Sequence, residues 1–317
     1  MKPSRKEIFA KSIDLKNNIG LELGPLHSPI FTKQEANISY LDYASTEDLR
    51  EKYKDDKIVG NISNIVDVDF ILKKGSILNS IKNRKFDYIV GSHVIEHVPD
   101  LLGWLNEIFE ALKPEGVLML AIPDKRYTFD INRNTTTTGQ VLGNYYSKLK
   151  VPSVEQVVDY ELESIEVDSG QIWYGNMFEK IKSKNSSGEV KKIINQSLAN
   201  IYQDCHCTVF TPESFAKILS DLAMLELLPF VVDSYVETRF GEIEFFVILK
   251  KINEISTRQI IRSIPKIQYS RYRELEKQNR ELEVRVGELE FELEDIKNSR
   301  SWELTQQLRR VKNKLKK

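Results

Sequence analysis

Ile19-Gly20-Leu21-Glu22-Leu23-Gly24-Pro25-Leu26-His27-Ser28-Pro29-Ile30-Phe31 is a short apolar run that breaks into a Gly/Pro turn and carries an acid near its end. A buried strand followed by a glycine turn, with a second acid at Asp42 after the next strand-like run, predicts an α/β sheet with a nucleoside-bearing cofactor at its edge. The turn departs from the dinucleotide fingerprint, because Leu26 and Ser28 stand where further glycines would be. Glu22 would repel a phosphate and suits a cationic group. Asp42 is spaced to accept hydrogen bonds from two ribose hydroxyls.

Outward from this turn, apolar runs at 19–23, 38–42, 65–70, 86–91 and 116–122 read as strands. Ile77 to Ile81 is a short helical or turn segment. A helix over 100–113 follows from Leu101, Leu105, Ile108, Phe109 and Leu112 on one face, with Pro114 and Gly116 ending it. The alternation implies βαβ units around a mostly parallel sheet. It stops at 124–210, which reads as an insertion, either a substrate cover or a structural subdomain. That stretch includes a helix near 188–202 with Val190, Ile193, Ile194, Leu198, Ile201 and Tyr202 on one stripe. The pattern resumes at Thr211-Pro212-Glu213-Ser214, a helix start in which Thr211 caps and Pro212 fills the first turn. Residues 229–237 and 243–250 then form two strands joined closely enough for an antiparallel hairpin.

The C-terminal part has a different periodicity. Leu275, Leu282, Leu289 and Ile296 recur every seven residues, with Tyr272, Asn279, Val286 and Leu293 at the second seam position. This predicts a coiled coil over 269–300, whose polar Asn279 favours a parallel homo-oligomer, while Gly287 weakens it locally. After Arg300 a new stripe of Leu304, Leu308, Val311 and Leu315 runs through a basic tail, 301–317, which reads as a continued coiled coil, a frayed soluble tail or an amphipathic helix lying on an anionic membrane. The expected domains are therefore 1–252, a linker at 253–268, the coiled coil and the tail.

Bulk properties narrow the classes. With 317 residues and 41% hydrophobic content the chain can bury one substantial core. A net charge of −1 gives no reason to expect nucleic acid as a partner. Two cysteines flanking His206 make no disulfide framework. With no apolar run long enough to span a bilayer, a cytoplasmic protein is expected, or one peripheral at the inner face of the plasma membrane.

Phe86-Asp87-Tyr88-Ile89-Val90-Gly91-Ser92-His93-Val94-Ile95-Glu96-His97-Val98-Pro99-Asp100, followed by Leu112-Lys113-Pro114-Glu115-Gly116-Val117-Leu118, resembles the fourth strand and fifth-strand entry of class I S-adenosylmethionine-dependent methyltransferases. The resemblance covers about 15–252, interrupted by the insertion. It implies a Rossmann-like seven-stranded sheet whose last strand is antiparallel. It places Glu22 and Gly24, with Pro25 and Ser28 stiffening the turn, beside the methionine part of S-adenosyl-L-methionine. Asp42 then falls at the ribose, Asp69 or Asp67 near adenine, and Ser92 and His93 under the cofactor.

Pro123-Asp124-Lys125-Arg126-Tyr127-Thr128-Phe129-Asp130 and His206-Cys207-Thr208-Val209-Phe210-Thr211-Pro212 are similar to methyltransferases found with bacterial surface-polysaccharide (O-antigen type) assembly. Ser301-Trp302-Glu303-Leu304-Thr305 is similar to terminal segments of enzymes in the same pathways. This second resemblance implies O-methylation of a sugar on a glycan or its lipid-linked precursor, with the coiled coil docking on a polysaccharide-assembly protein. Methylation of a small metabolite or lipid is the alternative, and a catalytically degenerate dimeric scaffold a third.

An activated methyl carbon needs an aligned acceptor, excluded water and a base for the acceptor's proton. The candidate bases are His97, His206, Asp124 and His93, and Arg126 and Arg133 are candidates for acceptor phosphates or carboxylates. No metal site is expected. His93-x-x-x-His97 lies in a strand-to-helix loop without the order of a zinc peptidase, and Cys205-His206-Cys207 are neighbours that rarely converge on one ion.

Overall fold

Gly20–Leu23 forms the central strand, β1, and all four residues are buried, as a parallel strand covered on both faces requires. The computed structural model describes residues 3–57, 59–73, 75–173, 186–199, 201–266 and 285–297. The chain divides into two units, 1–266 and 267–317.

In the first unit the remaining strands are β2 (Ile38–Asp42), β3 (Phe70–Ile71), β4 (Phe86–Ser92), β5 (Leu112–Pro123), β6 (Phe230–Val236) and β7 (Glu244–Lys251). They form one sheet in the order β3-β2-β1-β4-β5-β7-β6. β1 to β5 pair in parallel, while β7 runs antiparallel to both β5 and β6. This is the expected Rossmann-like seven-stranded sheet with its antiparallel last strand.

Gly20 is dictated by its neighbour: a Cβ there would lie 2.1 Å from Cζ of Tyr88, the residue opposite it on β4. One face of the sheet packs Tyr88, Val90, Met119 and Phe246 under Phe9 and Phe31, with Phe9 edge-on to Phe246 and Phe31 edge-on to Tyr88. The helix Leu101–Ala111 lies between β4 and β5 in the chain and buries Leu101, Leu105 and Ile108, as its spacing predicts. Thr211 caps the helix Pro212–Met224 in a reciprocal box with Ser214, also as read.

Four elements differ from the sequence reading. The strand expected over 116–122 starts at Leu112, directly after the helix ends at Ala111, so Leu112 opens β5 and Pro114 and Gly116 lie within it. The strand expected over 65–70 is reduced to Phe70–Ile71, because Ile65 packs in a side cluster with Leu49 and Val59. The helix expected to 202 ends at Leu198, and Ile201 and Tyr202 are exposed rather than part of a buried stripe. The expected linker contains a helix, Thr257–Ser263, capped by Ser256 and Gln259. It buries Ile260, and Ser263 Oγ accepts the Val232 N–H of β6 at 2.9 Å.

The insertion starts and returns side by side: Asp124 bridges in parallel to Phe210, and the Lys125 N–H donates to the Phe210 carbonyl. Between them lie the helices Thr138–Tyr146, Val154–Glu163, Ser169–Trp173 and Ser187–Leu198. In the second unit, 285–297 is helical, and the seam positions Val286, Leu289, Leu293 and Ile296 are 47–53% exposed in the single chain. Tyr272, Leu275, Asn279 and Leu282 of the heptads, and the tail 301–317, lie outside the described residues. Among the described residues no helix is long and apolar enough to cross a membrane.

Candidate active site

The sheet order reverses at β1, whose neighbours are β2 and β4, and a crevice opens beyond the carboxyl ends of these strands. A cavity of about 490 Å³ occupies it, lined by Gly24, Asp42, Tyr43, His93, His97 and Trp104 among others. Gly24 turns the chain away from β1 with φ +59°, a conformation glycine adopts without steric cost. A Cβ there would press on Val94 Cγ2, another wall of the cavity, at 3.4 Å.

Asp42 ends β2, accepts the Tyr43 N–H at 2.7 Å and is almost fully buried. Burial pushes its carboxyl up, opposed by the backbone N–H groups of Tyr43 and Leu26. A carboxylate at a strand end beside the apolar surfaces of Leu26, Leu72, Ile77 and Val94 is the donor set a nucleoside needs: acceptors for sugar hydroxyls and flat walls for a base. The cavity therefore fits an adenosyl cofactor.

The other residues expected at the cofactor do different work here. Glu22 accepts the Ile30 N–H at 2.7 Å and the Phe31 N–H at 3.4 Å, so its carboxylate pins the turn from inside. Asp69 accepts the Tyr40 N–H and pairs with Lys33, each at 2.8 Å, and the exposed Asp67 meets Arg50 at 3.4 Å. The Ser28 N–H closes a turn on the Pro25 carbonyl. Neither these residues nor Ser92 line the cavity.

His93 follows β4 with φ +54°, a left-handed conformation that costs a side-chain-bearing residue energy and concentrates at functional turns. Its Nε2 meets Glu244 Oε2 at 2.7 Å and its Nδ1 lies 3.5 Å from Glu96 Oε1. Burial disfavours its charge, but the two carboxylates outweigh burial and push its pKa up to about 9. The two carboxylates therefore favour the protonated ring in the cavity wall.

His97 and His206, expected as alternatives, are neighbours, with their rings edge-on at 4.8 Å. The meeting is built by backbone bonds: the Cys207 and Thr208 N–H groups both donate to the Glu96 carbonyl, and Thr208 Oγ1 donates to that of Ile95. Each ring is held by a carboxylate at Nδ1, His97 by Asp204 at 3.0 Å and His206 by Asp130 at 2.5 Å. Asp130 is in turn paired with Arg133 at 2.8 Å, and the His97 bond holds the Asp204 carboxyl below its usual range. Asp124 is fully enclosed, bound by both Nε and Nη2 of Arg126 and by Thr238 Oγ1, so it secures the root of the insertion. Arg126 is spent on that pair.

Glu96, Asp130 and Asp204 carried no assigned role in the sequence. Glu96 and Asp130 stand inside the quoted strings, so position was available but contact was not. Asp204 had no signal beyond its closeness to His206.

A second cavity, of about 830 Å³, opens in the insertion and is walled by Arg133, Thr135, Gln140, Asn144, Ser153 and Asp159 among others, with Leu149 lining both cavities.

A family model described as a methyltransferase domain matches residues 20–222. No curated protein matches the chain. Among solved structures the chain is similar to a SAM-dependent methyltransferase from Methanosarcina mazei, at 15% identity over 80% of this chain and 99% of that one, with TM-score 0.38. It is also similar to an S-adenosylmethionine-dependent methyltransferase from Clostridium acetobutylicum, at 11% identity over 78% and 89%, with TM-score 0.41.

Proposed function

The chain belongs to the family of methyltransferase domains, as an enzyme whose cofactor is S-adenosylmethionine, and we propose that its acceptor is a sugar hydroxyl of a bacterial cell-surface glycan or of its lipid-linked precursor. The supporting observation is the second cavity. Its walls are hydroxyl, amide and charged side chains with few apolar groups, the complement of a polyhydroxylated ligand, and Leu149 lines both this cavity and the cofactor cavity.

Bound S-adenosylmethionine supplies a methyl carbon already activated by its sulfonium. In this reading Asp42 holds the ribose, and Gly24 lets the backbone come close. The acceptor hydroxyl lies at the mouth shared by the two cavities and loses its proton at the cluster of Glu96, His97 and His206. Packing of the insertion over the crevice excludes water. The heptads, in the same reading, make a homo-oligomer that docks on the assembly machinery, and the basic tail rests on the inner membrane surface.

The test is transfer of labelled methyl from S-adenosylmethionine to lipid-linked oligosaccharides, compared with small alcohols and catechols. Label in an alkali-stable sugar ether, with Asn144→Ala raising the acceptor KM several-fold at unchanged cofactor affinity, supports the reading. Label confined to small acceptors overturns it.

A further inference from the structure

We propose that Glu96, His97 and His206 form a binding site for one divalent transition-metal ion, zinc foremost, at the edge of the cofactor cavity. One ligand atom from each residue lies within 4.8 Å of the other two, and among the described residues no other set of histidine, cysteine and acidic side chains converges in this way. Around an ion with bonds of about 2.0–2.2 Å, tetrahedral ligands sit about 3.4 Å apart, so binding needs the cluster to contract by about an ångström.

Glu96 is the strongest pointer. Its side chain is 1% exposed and neither carboxylate oxygen has a hydrogen-bond partner. A buried carboxylate with so little compensation is costly: the facing ring nitrogen, His93 Nδ1, lies 3.5 Å from Oε1, a long contact, and Oε2 has no hydrogen-bond partner. An ion would satisfy both oxygens.

The imidazoles are prepared in the manner of ligands. With Nδ1 of each ring held by Asp204 or Asp130, the proton belongs on Nδ1 and the lone pair on Nε2. Carboxylate–histidine pairs of this kind orient metal-bound rings and raise their basicity. Arg133 carries the support one step further through Asp130.

Two imidazoles and one carboxylate suit zinc or iron(II) better than magnesium, and leave coordination positions open. The thiols of Cys205 and Cys207 pack with Val157 against Tyr160 and Ile193, and Cys207 Sγ donates to the His97 carbonyl at 3.5 Å, so it braces the backbone of a proposed ligand. His97 and Asp204 both line the cofactor cavity, so the site borders it. With the ion bound, Glu96, His97 and His206 are ligands and no longer bases; a hydroxyl bound at an open position would be acidified by the ion and give its proton to solvent as it takes the methyl group from the sulfonium. That use rests on the methyl-transfer reading, whereas the binding of the ion does not.

The experiment uses full-length protein stripped with chelator. Zn²⁺ binding is read by calorimetry and Co²⁺ binding by visible absorption, with S-adenosylmethionine affinity measured separately on the metal-free protein. Expected are about one ion per chain and a loss of about 100-fold or more in affinity in Glu96→Gln and in His206→Ala. Asp204→Ala, an exposed change that spares the core, is expected to lose about 10–100-fold. A folded protein that binds S-adenosylmethionine but takes up neither ion overturns the site. So does ion binding that is equal in wild type and in the folded Asp204→Ala and Glu96→Gln variants. Failure to bind S-adenosylmethionine with ion uptake intact would instead remove the acceptor role and leave the metal site standing.

Discussion

Glu22 Oε1 accepts the amide N–H of Ile30 at 2.7 Å, so an acid inside β1 folds the following loop back onto its own strand. Burial pushes this carboxyl up to about 7 from its usual 4.5, opposed by the two loop N–H groups. Between those values the folded chain holds a proton that the unfolded chain has released. Stability from this group is therefore intact below about pH 4.5 and declines as pH rises toward 7, by on the order of 3 kcal/mol. Glu22→Gln keeps a carbonyl for Ile30 and cannot ionise. Urea unfolding should show the variant gaining on wild type between pH 5 and pH 8, and a gap that does not change with pH would refute the assignment.

Asp42→Ala should weaken S-adenosylmethionine binding by about 10–100-fold, the worth of a charged hydrogen bond. Asp69→Asn should leave it unchanged, because Asp69 is committed to Tyr40 and Lys33 outside the cavity. Calorimetry on the pair separates a cofactor ligand from a structural acid of similar sequence position.

Asp124 was a candidate base, yet its contacts predict a structural role. Asp124→Ala should lower stability by about 2 kcal/mol, toward the small end for a buried pair because the Arg126 side chain is 40% exposed and can turn to water. Turnover per folded molecule should persist, and thermal unfolding beside active-site titration reads both. Loss of turnover with full stability would restore it as a catalytic residue.

The half-exposed seam of Val286, Leu289, Leu293 and Ile296 predicts self-association. Leu289→Asp in the full chain should convert an oligomer to monomer in sedimentation, with S-adenosylmethionine affinity unchanged. A wild-type monomer at micromolar concentration would refute the coiled coil.

The sheet was legible because its strands are short apolar runs set between turn residues, and Thr211-Pro212 marks a helix start that local chemistry enforces, whereas Pro114 and Gly116 lie inside β5 rather than at its start. β3 was overestimated because Ile65 is apolar for a different cluster, and a run of residues does not say which core it fills. At the site, Gly24 and Asp42 were legible from their place after strands. The cluster was not: His97 and His206 lie far apart in the chain, and only the backbone bonds from Cys207 and Thr208 to Glu96 bring them together. Glu22 and Asp69 show the converse: Glu22 serves the amides of the loop after β1, and Asp69 serves the Tyr40 amide of β2 and Lys33.

Both roots of the insertion are tied down, one by Asp124 with Arg126 and Thr238, the other by Cys207 and Thr208 on Glu96. Under the proposed reading this tether couples the insertion to the cofactor cavity, because the Glu96 carbonyl that receives the returning chain precedes His97, which lines that cavity. Selection for a new acceptor would then be free to rewrite the outer helices, whereas the few residues of the seam at 95–97 and 205–208 would resist change even where they touch neither ligand.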